Sequence, residues 1–171
     1  FRSVWLDYRA SEAPERYTAL LDRLLRLGAT VLDLSGATQD PSLDTNAMIR
    51  AVMVYLPEYS RILSEVIAFP EQSAGLVAYE TLLDNLARIR VAALIDFAMA
   101  DSAASFSAHP DAQHDIGRAL DVFREHHAAL RSMLRAPASG ADHARMLADA
   151  RSVFDAAQSL YAAGREGIRV A

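Results

Sequence analysis

The chain contains no cysteine and no lysine among its 171 residues, and only seven glycines. Without cysteine there is no disulfide framework, no thiolate metal site and no cysteine nucleophile. The glycines are scattered and build no phosphate-binding loop, and neither a GxSxG elbow nor a recognisably spaced Ser/His/Asp set is present. We therefore predict a protein that is not an enzyme and that needs no cofactor.

Long apolar runs and clustered positive charge are also missing. No stretch of about 18 apolar residues occurs, and the N-terminus, FRSVWLDYRAS, lacks the basic start and apolar stretch of a signal peptide. The 17 basic residues are all arginine and are spread along a chain of net charge −5. Nucleic-acid binding needs clustered positive charge, so it is not expected. We expect a soluble chain, which could still be a piece of a membrane protein.

What the sequence does contain is helical periodicity. Hydrophobic residues make up 52% of the chain and recur at spacings of three and four from end to end, without strand-like alternation. Many apolar stripes repeat every seven residues, which favours near-parallel helices crossing at roughly 20°. The sequence predicts one all-α domain over residues 1–171, an elongated antiparallel up-and-down bundle of four to six helices.

Five helices are predicted from this spacing, with FRSVWLDYRA as the end of a sixth. They run from about Pro14 to Gly36, Leu43 to Phe69, Gln72 to Ser107, Asp111 to Ala136, and Asp142 to the C-terminus. The predicted apolar face of the first includes Leu24, Leu27, Val31 and Leu34, and that of the third includes Leu83, Leu86, Ala93, Phe97 and Ala100. In the fourth, heptad a and d spacing is found for Ile116, Leu120, Phe123, His127, Leu130 and Leu134.

The five histidines predict no metal site. His126 and His127 are adjacent, and adjacent helical residues point about 100° apart, so they cannot share a metal as residues four apart can. The Glu-x-x-His pairs of helical di-iron proteins are absent too. His127 falls on the apolar stripe, where we expect a partly buried, hydrogen-bonded histidine; a ligand-pocket or pH-sensing role is the alternative.

The stretch DPSLDTNAMIRAVMVYLPEYS, residues 40 to 60, opens with helix-start chemistry. Asp40-Pro41 is a turn signal, and Asp44 and Asn46 are residue types that cap helices. One interpretation is a plain helix start with acidic groups at the positive end of the helix dipole. The other is a pocket at the helix N-terminus, where the acidic groups would suit a cationic or zwitterionic ligand better than an anion.

Pro57 lies inside the helix that follows. Proline lacks the N–H group and clashes with the carbonyl four residues earlier, here that of Met53, at a cost of about 3 kcal/mol in a straight helix. The apolar stripe keeps its phase from Met48 to Val66 across the proline. The sequence therefore predicts a helix kinked between Met53 and Leu56, and this kink is a natural place for a pocket or a bending point.

The candidate ligand-binding residues come from this helix and the next one. Arg88 and Arg90 flank apolar positions, so one of them could lean inward and hold a carboxylate, although extension into solvent is the alternative. Tyrosines near the inner faces suit pockets between helices but also fill cores. The predicted binding set is Asp44, Asn46, Arg50, Tyr55 and Arg90, with Asp40, Pro41 and Pro57 in structural roles.

The same stretch carries a family resemblance. Its elements are Ser35-Gly36, Asp40-Pro41, Asp44-Thr45, Met48 and Leu56-Pro57. This pattern resembles the helical extracytoplasmic sensor regions of bacterial transmembrane receptors, namely methyl-accepting chemotaxis proteins, sensor histidine kinases and diguanylate cyclases. The resemblance covers about Tyr17 to Val66 and continues more loosely into ARSVFDAAQSLYAAGREGIR. Two departures occur, since Asn46-Ala47 replaces the usual aromatic pair and Ala37 replaces a leucine.

The resemblance implies a non-catalytic periplasmic sensing domain between two membrane spans, with a cytoplasmic output module elsewhere in the protein. Its partners would be a small molecule or a solute-loaded periplasmic binding protein, together with a second copy in a homodimer. An even number of helical passes would be needed, which implies that one or more earlier helices precede this chain. The alternative is the ligand-binding, dimerising half of a TetR-type repressor, although no helix-turn-helix precedes the bundle here.

Overall fold

The computed structural model describes residues 23–24, 26–28, 30–31, 34, 43–68, 76–100, 109–135 and 140–170. All regular structure in these ranges is helical, so the all-α prediction is confirmed. Asp40, Pro41 and the proposed helix at FRSVWLDYRA lie outside the described residues.

Four long helices follow one another from residue 43 onwards. Helix A consists of α1 (Leu43–Ile49), π1 (Arg50–Tyr55) and α2 (Leu56–Ala68), and helix B consists of α3 (Leu76–Asp84), π2 (Asn85–Ala92) and α4 (Ala93–Ala100). The remaining two are α5 (Pro110–Arg135) and α6 (Gly140–Val170). The bounds of helix A, α5 and α6 agree with the predicted ones within two residues, and helix B begins four residues after its predicted start. The predicted end of helix B, Ser107, lies outside the described residues.

The four helices form a closed up-and-down bundle. Helix A lies antiparallel to helix B, since α1 packs on α4, π1 on π2 and α2 on α3. Helix B packs on α5, α5 on α6, and α6 returns to helix A. Val52 near the start of helix A touches Gly164 near the end of α6. The start of helix A and the end of α6 therefore lie at the same end of the bundle.

The core follows the predicted apolar stripes in helix A and α5. All six heptad positions of α5 from Ile116 to Leu134 are buried, and in helix A the stripe from Met48 to Val66 is buried apart from the half-buried Tyr55. Gly164 allows α6 to approach closely, because a β-carbon there would lie 2.4 Å from a methyl group of Val52. These predictions from periodicity are confirmed.

The sequence predicted a kink between Met53 and Leu56, and what the structure has in this region is a change in hydrogen-bond register. Residues Arg50–Tyr55 are π-helical, and the N–H of Leu56 donates to the carbonyl of Ala51, five residues earlier. Helix A then continues as α-helix through Pro57. Pro57 has no backbone N–H to donate. A wider π turn just ahead of it is compatible with this, because the backbone hydrogen bonds there already depart from the α-helical register that the proline would disrupt.

The second π segment was not predicted, and it makes part of the predicted face of helix B wrong. Ala93, Phe97 and Ala100 are exposed, whereas Ile95 and Ala98 are buried. The N–H of Ala93 donates to the carbonyl of Arg88, so π2 uses more residues per turn than an α-helix. The apolar face beyond π2 is displaced along the sequence, and a stripe drawn with α-helical spacing points to the wrong residues.

The apolar face predicted for the first helix is also corrected. Leu24, Leu27, Val31 and Leu34 are helical but exposed, Leu34 by 83%. The physical reason is that helices A and B, α5 and α6 already close a complete core among themselves. In the described part of the chain, this face is therefore not a component of the bundle core.

Candidate functional site

A polar chain crosses the centre of the bundle from helix A to α5 and helix B. The hydroxyl of Tyr59 lies 3.0 Å from Nδ1 of His127, and Nε2 of His127 lies 3.4 Å from Oδ1 of Asp84. A carboxylate only accepts hydrogen bonds, so Nε2 carries the proton and Nδ1 accepts from the Tyr59 hydroxyl. Phe123 packs edge-on against Tyr59 with ring centroids 5.1 Å apart. The prediction of a buried, hydrogen-bonded His127 is confirmed.

Burial sets the charge states of His127 and Tyr59. It lowers the pKa of His127 below the ordinary 6.5, although the Asp84 carboxylate acts in the opposite direction. It also raises the pKa of the Tyr59 hydroxyl above its ordinary value. Both side chains are therefore neutral at pH 7, and the pairing is a hydrogen bond between uncharged groups.

Charged side chains continue this hydrogen-bonded network towards one end of helix B. Oε1 of the buried Glu80 accepts hydrogen bonds of 2.8 Å from Nε of Arg131 and Nε of Arg135. Nη1 of Arg131 also lies 3.3 Å from Oδ1 of Asp84. The hydrogen bond from Arg131 lowers the pKa of Glu80 below its ordinary value. Helix B and α5 are thus joined by an ion-pair ladder that consists of Glu80, Asp84, Arg131 and Arg135. Its member Asp84 also contacts His127.

A cavity of about 400 Å³ opens beside this ladder, between helix B and α5. This volume lies within the usual range for small-ligand pockets. Its polar lining consists of Asp84, Arg88, Asp96, Arg124, His127 and Arg131. Its apolar lining consists of Ala87, Ala92, Ala93, Phe123 and Ala128. The cavity thus combines small apolar side chains with a rim of opposite charges, and part of π2 forms its wall.

The five predicted ligand residues do not line this cavity in the described part of the chain. The structure brings two of them together, because the Arg90 guanidinium carbon lies 5.4 Å from the centroid of the Tyr55 ring. This cation–π contact joins the end of π1 to π2. Asp44 and the half-buried Asn46 lie in the first turn of α1, and Arg50 is exposed at the start of π1. The five-residue pocket stays a prediction.

Sequence reasoning missed Glu80, Asp84 and Arg131 as members of the polar centre. A signal was available, because Glu80 and Asp84 are four residues apart and Arg131 and Arg135 are also four apart. Such pairs present two charges on one helix face. Complementary pairs on two helices predict a ladder only when those helices are known to be neighbours. Arg88 was considered as an inward-leaning residue, and it lines the cavity while remaining exposed.

Three comparisons with known proteins give no further assignment. No family model, no curated protein and no solved structure matches the chain. Within the described residues, no group of histidine and carboxylate side chains could hold a metal ion. In the same ranges, no helix combines the length and apolar character that a membrane span requires.

Proposed function

We propose that this chain is a ligand-sensing domain on the periplasmic side of a transmembrane signalling receptor of chemoreceptor or sensor kinase type. It binds a small molecule, or a solute-loaded binding protein, and passes on a helix displacement without catalysing a reaction. A cytoplasmic output module and a homodimeric state belong to the same proposal.

The observation that carries the proposal is the position of the cavity relative to the two π segments. The cavity wall includes Ala87, Arg88 and Ala92 of π2, and π2 packs against π1 directly ahead of Pro57. Segments of π-helix inside α-helices occur frequently at functional sites. A ligand in the cavity that favours one register over another would shift helix B along its axis and press on helix A.

The arrangement of the helix ends supports the same proposal. Helix A begins and α6 finishes at the same end of the bundle, on either side of the Val52–Gly164 contact. Long antiparallel helices move as a few rigid rods, so a shift produced beside π2 can reach that common end. In a membrane receptor, this end would be the one that faces the lipid bilayer.

The compartment of the chain is the test that separates this proposal from a cytoplasmic repressor. In the intact gene, alkaline phosphatase or β-galactosidase is fused after Val170, with all upstream sequence kept. We expect the phosphatase fusion to be active, since the enzyme needs the disulfides that form in the periplasm. We also expect apolar spans of about 20 residues in the coding sequence on both sides. An active β-galactosidase fusion with an upstream basic helix-turn-helix would overturn the proposal.

A further inference from the structure

The ligand chemistry of the cavity follows from which of its charged groups are already paired. Asp84 faces three donors, with His127 Nε2 at 3.4 Å, Arg131 Nη1 at 3.3 Å and Arg88 Nη1 at 3.5 Å. The Asp96 carboxylate is paired with Arg124. A cationic ligand would therefore compete with guanidinium groups for each of these carboxylates. The positively charged guanidinium groups would also repel it.

Arg88 is the least engaged guanidinium of the rim. Its ion pair with Asp84 is 3.5 Å long, beyond the usual hydrogen-bond range, and its side chain is 64% exposed. By contrast, Arg131 donates to Glu80 at 2.8 Å and is only 28% exposed. Guanidinium has five N–H donors in a planar fork that matches a carboxylate in a two-pronged contact. Arg88 can thus accept an anionic group from a ligand without breaking the ladder.

The floor of the cavity selects the rest of the ligand. It is formed by Phe123 and by small side chains that include Ala87, Ala92 and Ala128. Such a surface offers apolar contact but few hydrogen-bond partners, so it favours a hydrocarbon body over a polyhydroxylated one. The lining carries three guanidinium groups and two carboxylates, and Arg131 is also bound by Glu80 outside the lining, which leaves Arg88 as the guanidinium with the weakest partner.

From these observations we propose that the cavity between helix B and α5 binds a small organic carboxylate with an apolar body, its carboxylate on Arg88 and its body against Phe123 and the alanines. The inference rests on the proposed function and deepens it by naming the ligand class of the sensor. It differs from the pocket predicted from the sequence, which used Tyr55 and Arg90.

The test measures binding of three isosteric probes to the full 171-residue chain by fluorine NMR. The probes are para-fluorobenzoate, the neutral para-fluorobenzamide and the cationic para-fluorobenzylamine. We expect the benzoate to bind with a Kd of roughly 1 mM or tighter, and the other two at least about tenfold more weakly. Equal binding of the acid and the amide, or no binding of the acid at about 10 mM, would overturn the inference.

Two matched pairs of variants locate the site. Ala128→Leu fills the cavity, whereas Ala129→Leu makes the same change at the next exposed position of α5, outside the lining. Arg88→Gln removes the group that would bind the ligand's carboxylate, and Arg169→Gln removes a similarly exposed arginine of α6 that is paired with Glu166. We expect Ala128→Leu and Arg88→Gln each to weaken benzoate binding about tenfold or more, with both controls within about twofold. Equal effects within either pair would contradict the assignment.

The outcomes for the inference and for the proposed function are distinguishable. If the fusions place the chain in the periplasm but the benzoate does not bind, the carboxylate inference is wrong and the sensor proposal stands. If the benzoate binds with the expected variant pattern but the chain is cytoplasmic, the site is supported and the sensor proposal is wrong.

Discussion

The hydroxyl of Tyr59 on helix A meets Nδ1 of His127 on α5 at 3.0 Å, across the diagonal of the bundle. Helix A and α5 are opposite each other in the ring, so this hydrogen bond spans the core. Both side chains are almost inaccessible to solvent. A buried hydrogen bond between diagonal helices fixes their positions along the bundle axis relative to each other. A sliding movement would leave both partners as buried, unpaired polar groups, which costs free energy.

Tyr59→Phe should destabilise the bundle by about 1–3 kcal/mol, since it leaves Nδ1 of His127 buried without its donor. Tyr161→Phe is the matched control, because Tyr161 is half-buried on α6 and the described residues give it no hydrogen-bond partner. We expect the control to change stability by less than about 0.5 kcal/mol. Urea unfolding of both variants measures the difference, and equal losses would show that the Tyr59–His127 bond contributes nothing specific.

The stability of the chain should fall as the pH falls below about 6.5. The pKa of His127 is lower in the folded state than its ordinary 6.5, so the unfolded chain takes up a proton first and unfolding is favoured. The stability contributed by the neutral His127 is complete above pH 6.5. It is lost as the pH falls from 6.5 towards the lower pKa of the folded state. Glu80, whose folded pKa lies below its ordinary 4.5, adds a second loss at pH values below 4.5.

The histidine part of this dependence can be isolated with His127→Gln. Glutamine can still donate and accept hydrogen bonds but does not titrate. We expect the variant to be less stable at pH 8 and to lose less stability than the wild type between pH 7.5 and 5.5. Urea unfolding across this range measures both slopes. An unchanged slope in the variant would mean that another group causes the dependence.

Gly164→Ala should destabilise the chain although alanine is the better helix former. Its β-carbon would lie 2.4 Å from one methyl group and 3.2 Å from the other methyl group of the buried Val52, a stiff β-branched side chain. Overpacking of this kind costs about 1–3 kcal/mol. Gly117→Ala on α5 is the control, because its nearest contact would be an ordinary 3.5 Å to Met99. We expect the control to be stabilised by up to about 1 kcal/mol, and the same sign in both variants would contradict the close approach.

Pro57→Ala should raise the stability of the bundle. Alanine supplies the missing N–H and removes the ring clash, which together are worth up to about 3 kcal/mol in a regular helix. Because π1 already accommodates the proline, we expect a smaller gain of about 1–2 kcal/mol, measured by urea unfolding. If the protein is the sensor that we propose and signalling uses this segment, its output should change as well. A loss of stability would contradict this account, because it would show that Pro57 carries no cost in the folded helix.

The fold was predictable because apolar periodicity determines it directly. The spacing of Leu120, Phe123, His127 and Leu130 places these residues on one face of a helix whatever the neighbours are, and all four are buried. The exposed Phe97 shows the limit of the method, since the extra residue of π2 changes the phase of the face. No local residue pattern in NLARIRVA predicts a π segment, because its formation depends on tertiary packing.

The candidate site was less predictable for a related reason. His127 was expected to be buried and hydrogen-bonded, but its partners Tyr59 and Asp84 come from two other helices. Which helices are neighbours depends on the closure of the bundle, and that is a property of the whole chain. The cavity depends on small side chains such as Ala92 and Ala128, which sequence patterns do not distinguish from other alanines in an alanine-rich chain.

In the sensor that we propose, the cavity beside π2 controls an output across a membrane. The most direct measurement compares Ala128→Leu with Ala129→Leu in the intact protein, by the activity of the output module that we propose or the behaviour that it controls. We expect that filling the cavity fixes the output at one level, high or low, and abolishes the response to the natural stimulus, while Ala129→Leu responds as the wild type does. A normal response from Ala128→Leu would contradict the claim.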